Sequence, residues 1–307
     1  MAAVDEDYLG FVGFGEAAAA FIEGWAAKRP GRVTAYDIKT DADDPEVRTA
    51  KRADYARWEV TGCDTPAEAL SDRELVFSLV TADQAFAAAE TAAVGIAPDA
   101  LYLDCNSCAP GTKRRSAQLI ESAGARYVDV AVMAPVHPAL HRTPLLLSGP
   151  HAEQARQRLT ELGMVAEIVP GDVGAASSVK MIRSVFVKGL EALVLEGVLS
   201  ACEAGVDERV LDSLEASYPG FGWKERAAYM LERVTTHGIR RAAEMREVAL
   251  TVDELGLNGD MARATVDWQQ RVGELGIRAE PGDYRQRAEA VLRRLREHKK
   301  RVGGAPE

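Results

Sequence analysis

The chain has 307 residues, of which 47% are apolar and 27% charged, and a formal net charge of −10. That composition is globular and excludes disordered, collagen-like and low-complexity readings. The acidic balance argues against nucleic acid held through phosphate contacts, and no apolar run reaches the ~18–20 residues that cross a bilayer. The first residues carry neither the positive nor the apolar region of a secretory signal. Cys63, Cys105, Cys108 and Cys202 are too few and too scattered for a disulfide scaffold, so the cytoplasm is the expected compartment.

At roughly 100–200 residues per domain, the length predicts two domains. Up to about Pro170, short β-branched and apolar runs alternate with helical stretches. Strands are expected at residues 8–12, 33–36, 58–61, 75–79, 101–103, 127–132, 145–147 and 166–169. Helices are expected at 16–28, 82–93, 111–122 and 152–162. Strands spaced by helices imply βαβ units and a mostly parallel sheet. Nearly unbroken apolar strands such as Leu75-Val-Phe-Ser-Leu suit a sheet covered on both faces. After Pro170-Gly-Asp172 the strands stop. A long helix is expected over 175–204, with Val179, Ile182, Phe186, Leu190, Leu193, Val194 and Val198 as a wide apolar stripe. Further helices are expected at 207–217, 224–235, 239–255, 260–275 and 283–301. The last carries Arg293, Arg294, Arg296, Lys299, Lys300 and Arg301, read as a solvated basic face. The expected fold is α/β, with a Rossmann-type doubly wound sheet over residues 1–172 and an all-helical domain over 173–307.

The first strand runs into Gly13-x-Gly15-x-x-Ala18 and an alanine-rich helix. In this setting Gly13 permits the tight turn, Gly15 lets a pyrophosphate approach the backbone, and Ala18 allows close helix–strand packing. The helix start offers N–H groups to phosphate. Gly13, Phe14, Gly15, Glu16 and Ala17 are therefore the expected cofactor cradle, the alternative being a plain glycine turn. Asp37 ends the second strand, where a carboxylate binds the ribose hydroxyls and repels a 2′-phosphate. Lys39 pulls the other way, and NAD is favoured over NADP. Asp37 can also be a simple strand-end turn residue. After the fourth strand, Val80 and Thr81 sit on the edge along which dinucleotides lie. Thr81 either bonds cofactor or caps the next helix.

Three further segments carry a resemblance. They are Asp104-Cys-Asn-Ser-Cys-Ala-Pro110, Val128-Asp-Val-Ala-Val-Met-Ala-Pro135 and Gly174-Ala-Ala-Ser-Ser-Val-Lys-Met-Ile-Arg-Ser184. With the glycine turn, their order and spacing resemble the β-hydroxyacid dehydrogenase superfamily, which includes 3-hydroxyisobutyrate and 6-phosphogluconate dehydrogenases. The resemblance spans essentially the whole chain. It implies an NAD(P)-dependent oxidoreductase in which Lys180 is the acid–base residue. A partly desolvated lysine has a lowered pKa and can accept a hydroxyl proton, whereas the plainer reading of Lys180 is a snorkelling surface cation. Ser184 stands where the family places an asparagine one helical turn later, and Lys188 follows another turn on. Arg183, beside Ser184, is a candidate for a carboxylate or an ion pair. Asn106 and Ser107 resemble a pair that contacts substrate, Asn106 being assigned toward the cofactor and Ser107 toward the substrate. Their alternative role is to cap the helix after Pro110.

The sequence departs from the family at Met133, Ala134 and Pro135, which replace the Ser-Gly-Gly that cradles a substrate carboxylate. Pro135 has no N–H and Met133 is bulky, so a larger or more apolar substrate is expected. His237, Arg240, Arg241, Glu244 and Arg246 are candidates for substrate contact from the last domain, with His237 and Arg241 taken forward. The rivals are an imine reductase of similar architecture, against which Lys180 argues, and a non-catalytic dinucleotide sensor. Cys105-x-x-Cys108 with His137-x-x-x-His141 imitates a zinc pattern, but the spacer far exceeds the usual 12–15 residues, and no metal is expected. A homodimer is expected, because the apolar-striped helix needs cover from a partner chain.

Overall fold

The computed structural model describes residues 8–26, 31–278 and 281–302. Side-chain burial is described for residues 9–26, 31–278 and 281–298. The ends of the expected first helix, residues 27 and 28, lie outside the described residues, as do the side chains of Lys299, Lys300 and Arg301. The chain divides into two compact units, residues 1–181 and 182–307.

The first unit is built on eight strands: β1 (Tyr8–Val12), β2 (Arg32–Tyr36), β3 (Thr61–Gly62), β4 (Leu75–Ser78), β5 (Leu101–Asp104), β6 (Arg126–Val132), β7 (Leu145–Ser148) and β8 (Ala166–Ile168). They form one sheet in the order β3-β2-β1-β4-β5-β6-β7-β8. Every pair is parallel except β6 with β7, where Asp129 faces Ser148 in antiparallel register. The order reverses between β1 and β4. Carboxyl ends of strands at such a reversal open the crevice where open α/β sheets bind ligands.

Helices α1 (Glu16–Trp25), α2 (Pro45–Arg57), α3 (Pro66–Leu70), α4 (Ala85–Ala93), α5 (Pro110–Ser122) and α6 (Ala152–Glu161) flank the strands. Two apolar clusters cover the sheet, as the unbroken apolar strands require. One centres on Phe11, Phe21, Trp25 and Phe77, with Phe11 and Phe77 stacked at 5.5 Å between centroids. The other contains Val76, Tyr102, Tyr127 and Ile120. Local signals set the short helices: Pro45 follows the capping carboxylate of Asp44, and Thr65 with Glu68 closes a capping box. The third strand lies later than expected, at Thr61–Gly62. Trp58 and Glu59 instead end α2 in a turn, with Glu59 at φ 52°.

The second unit is helical. Helix α7 (Ala175–Glu203) begins in the first unit and continues into the second, followed by α8 (Asp207–Ser217), α9 (Trp223–Glu254), α10 (Asp260–Gly273) and α11 (Tyr284–Val302). Val194, Leu195, Val198 and Leu199 pack with Leu231, Val234, Val272 and Val291. The wide stripe expected on α7 divides in two. Val194 and Val198 are buried, whereas Val179, Ile182, Phe186 and Leu193 are exposed. The two helices expected at 224–235 and 239–255 are one, α9. Gly238, between them, does not break it. A Cβ there would collide with the backbone of Gln269 and Gly273, so its bareness serves the close approach of α9 and α10. On α11, Arg294 is not merely solvated, since its guanidinium donates to the Leu275 carbonyl at 2.9 Å.

Candidate active site

The glycine turn between β1 and α1 is held by its neighbours. Gly13 has φ 83°, and a Cβ there would lie 2.5 Å from the Leu79 carbonyl oxygen, so a side chain is barred on both counts. Its amide donates to Tyr36 O at 2.8 Å, and the Phe14 amide donates to Asp37 Oδ2 at 2.8 Å. Lys51, nearly fully buried, donates from Nζ to the Phe14 carbonyl at 2.7 Å. Gly15 and Glu16 are exposed and Ala17 half-buried, and a Cβ on Gly15 would meet nothing within 4 Å. Gly15 caps α1 with no side-chain hydrogen bond. The first amides of a helix have no intrahelical partners and the space beside Gly15 is open, which fits a dinucleotide pyrophosphate.

Asp37 accepts the Phe14 amide on one oxygen and the Lys39 amide, at 3.0 Å, on the other. Each oxygen keeps a second lone pair, so the carboxylate both fixes the turn and can accept ribose hydroxyls. Thr81 is exposed and makes no capping bond to the turn that follows it. The Val80 amide donates to Asn106 Oδ1 at 2.7 Å, and Asn106 Nδ2 donates to Ser78 Oγ at 2.9 Å. The side chain of Asn106, 2% exposed, thus ties the ends of β4 and β5 together. It does not cap α5, whose N-cap is Ala109.

Beside Asn106, the half-buried Ser107 accepts a hydrogen bond from Lys180 Nζ at 2.5 Å. Lys180 lies early in α7, and that helix start is anchored on β6. Asp129 Oδ2 accepts the amides of Gly174 and Ser177, both at 3.0 Å, and the Ser148 hydroxyl at 3.0 Å. Its Oδ1 accepts the Ser177 hydroxyl at 2.5 Å. A carboxylate at a helix N-terminus is stabilised by unpaired amides and by the macrodipole. Sequence reasoning missed Asp104, Lys113, Asp129, Ser177 and Lys51. The available signal was a carboxylate ending the apolar run of Leu101–Asp104 and another in the middle of the apolar run that follows Arg126 in Arg126–Val132.

In the loop after β6, Met133 is half-buried and Ala134 and Pro135 are exposed. The Met133 amide donates to Pro144 O at 2.9 Å. Pro135 offers no N–H. Cys105 and Cys108 are buried thiols. Burial pushes Cys105 up to about 12, so it persists as a thiol. Among the described residues no group of three or more His, Cys, Asp or Glu is placed to hold a metal.

The helical unit holds its own buried charges. Lys188 Nζ lies 2.7 Å from Glu244 Oε2 and donates to Ser184 Oγ at 3.3 Å. Burial lowers the Lys188 pKa against the opposing pull of Glu244. Arg241 is ion-paired with Glu191, both buried, and burial lowers its pKa as well. Lys188 and Arg241 are thus committed to carboxylates within this unit. Ser184 is buried, His237 is half-buried on α9, and Arg183, Arg240 and Arg246 are exposed.

Residues 8–169 match the family described as the NAD binding domain of 6-phosphogluconate dehydrogenase, and residues 201–272 match a domain of unknown function. A conserved hypothetical protein from Sinorhizobium meliloti 1021 is 37% identical, with 95% of this chain and 98% of that one covered and a TM-score of 0.74. A conserved protein of unknown function, described as structurally similar to 3-hydroxyacid dehydrogenases, is 26% identical over 91% of this chain and 98% of its own, at TM-score 0.67. Mycobacterium tuberculosis 3-hydroxyisobutyrate dehydrogenase shares the fold at TM-score 0.70 and 12% identity, with 93% of this chain and 98% of that one covered. The glycine turn, the sheet order and the match over more than half its length agree, and the chain belongs to the family of the 6-phosphogluconate dehydrogenase NAD binding domain, within the β-hydroxyacid dehydrogenase superfamily of NAD(P)-dependent oxidoreductases.

Proposed function

We propose that the protein transfers hydride between a nicotinamide dinucleotide and a hydroxy compound, or its carbonyl partner, with Lys180 as general acid and base. The observation that carries this reading is the 2.5 Å hydrogen bond from the half-buried Lys180 amine to Ser107. A bound nicotinamide supplies the hydride acceptor or donor. As a neutral amine, Lys180 takes the hydroxyl proton at Nζ, and in the reverse direction its ammonium returns that proton to the carbonyl oxygen. Ser107 orients Nζ and has a hydroxyl hydrogen of its own to donate to substrate. Asn106 keeps the loop bearing Ser107 on the end of β4.

Asp37 supports NAD over NADP, because its carboxylate opposes a 2′-phosphate. The apolar Met133 and the loss of backbone donors around Pro135 support a substrate larger or less carboxylate-dependent than a small 3-hydroxy acid. Calorimetric titration with NAD, NADH, NADP and NADPH tests the cofactor half of the proposal. Saturable binding with a preference for the NAD pair supports it, and no binding of any of the four overturns it. A panel of hydroxy acids, aldehydes and imines then supplies the substrate. Lys180→Ala is expected to cut turnover by about 10²–10⁴-fold while leaving dinucleotide affinity within about twofold. Unchanged turnover would remove Lys180 from the chemistry.

A further inference from the structure

Lys113 is 0% exposed, as are Asp104 and Asp129. Its Nζ lies 3.0 Å from Asp104 Oδ1 and 3.4 Å from Asp129 Oδ1, and it donates to the Asp104 carbonyl at 2.5 Å. An ammonium buried this completely is expensive to desolvate, and replacing a whole buried ion cluster by well-packed apolar side chains is often neutral or stabilising. Burial alone would lower its pKa, yet Asp104, Cys108 and Asp129 together more than offset that and raise it, so Lys113 stays charged. A charge retained at that cost invites a reason beyond stability.

The two carboxylates answer to different halves of the site. Asp104 closes the loop after β5: its Oδ1 accepts the Asn106 amide at 3.0 Å, and its Oδ2 accepts the Tyr127 hydroxyl at 2.6 Å. That loop carries Ser107. Asp129 fixes the start of α7 through the amides of Gly174 and Ser177, and that helix carries Lys180. The ammonium of Lys113 is the bridge between them.

We propose that Lys113 is a positioning residue, a buried cation that couples Asp104 to Asp129 and thereby sets the contact between Ser107 and Lys180. The inference rests on the reading of Lys180 as the acid–base residue. Cys105 lies next to Asp104 in sequence and is buried among these groups. Burial first, then Asp104 and Asp129, push its thiol up, while Lys113 and Lys180 draw it down, so one buried thiol lies within the field of all four charges.

The test is the rate at which the Lys180 amine is acetylated by a trace-labelling anhydride at one fixed pH, read by mass spectrometry of its peptide in the intact, folded chain. The loss of Ser107 as acceptor removes a hydrogen bond to the ammonium, which lowers its pKa and frees amine for reaction. Ser107→Ala is therefore expected to speed labelling by about threefold, the factor for half a pKa unit. Lys113→Met acts on the same contact and is expected to speed it comparably. The double variant is expected to be no faster than either single one, which is the non-additivity of two changes to one interaction. A purely through-space role for Lys113 gives the opposite sign, because a cation removed from the neighbourhood favours the Lys180 ammonium and slows labelling. No change, slower labelling, or multiplicative effects in the double variant each overturn the proposal. Where Lys113→Met alone does not fold, Asp104→Asn with Lys113→Met removes an anion and a cation together, and the comparison with and without Ser107→Ala decides: multiplicative effects overturn the proposal and non-additive ones support it. Neither substrate nor cofactor is needed. Failure here leaves the dehydrogenase reading standing, and failure of cofactor binding or of Lys180→Ala leaves this result interpretable.

Discussion

Gly13 concentrates two constraints at one residue: a left-handed φ and a carbonyl oxygen where a Cβ would stand. A left-handed conformation costs an L-residue about 1–2 kcal/mol, and the collision with Leu79 adds to it. Gly13→Ala is expected to weaken dinucleotide binding at least about tenfold, equivalent to about 1.4 kcal/mol, and to lower the melting temperature. Calorimetry and thermal melts check both. The buried thiols yield a pH prediction. Burial raises Cys105 from 9.0 to about 12 and Cys202 to about 11, and it raises Cys63 as well. Cys105 and Cys63 are expected to resist iodoacetamide at pH 8 in the native protein and to react after denaturation, as mass spectrometry of the alkylated chain would show. A folded-state pKa above the unfolded one contributes stability that is intact below pH 9.0 for Cys105 and lost as pH rises toward about 12. The buried hydroxyls of Tyr102 and Tyr127 are raised too and act in the same direction. Melting temperature is thus expected to fall through that alkaline window, and a flat profile would contradict the assignment.

At the scale of elements, what was legible in the sequence is what is local. The turn from β1 into α1 and the carboxylate at the end of β2 are spelled by adjacent residues, so the positions of Gly13, Gly15 and Asp37 follow from the sequence alone. Lys113 was not, because a lysine on a helix that also carries Arg114 and Arg115 reads as one more solvated cation. Only the pairing of β5 with β6 brings two carboxylates to it. The role of Asn106 was half legible: its place at a strand end was clear, but its bonds to Val80 and Ser78 cross to another strand. Gly238 falls between the two helices expected at 224–235 and 239–255. Glycine weakens an isolated helix, yet α9 runs through it unbroken. The cost is met by close packing against Gln269 and Gly273 on α10, which propensity does not register. Gly238→Ala is accordingly expected to destabilise the helical unit by about 1–3 kcal/mol through overpacking, although the same change in an exposed helix would stabilise it. Denaturant unfolding decides the sign.

At the scale of the molecule, the exposed face of α7 is the unresolved part of the energetics. Ile182, Phe186 and Leu193 are 43%, 74% and 62% exposed. At 3.6 residues per turn they fall within a narrow stripe along one side of the helix, and Val179 extends it. Single exposed apolar residues are ordinary, whereas a contiguous row of large ones marks an interaction surface. The occupant we propose is a second copy of the chain. A helix presenting the same stripe in both copies is self-complementary about a two-fold axis, the commonest symmetry of soluble oligomers. Light scattering coupled to size exclusion is expected to give a dimer of 33.1 kDa chains. Phe186→Glu together with Leu193→Glu is expected to give a folded monomer, because charge on the stripe must be desolvated in the dimer and stays hydrated in the monomer. A monomer in the unsubstituted protein, or a dimer that survives both substitutions, would place the contact elsewhere. The buried ion pairs Lys188–Glu244 and Arg241–Glu191 are internal to one helical unit, so the monomeric variant should retain the unfolding cooperativity of that unit. That retention separates a lost interface from a damaged fold.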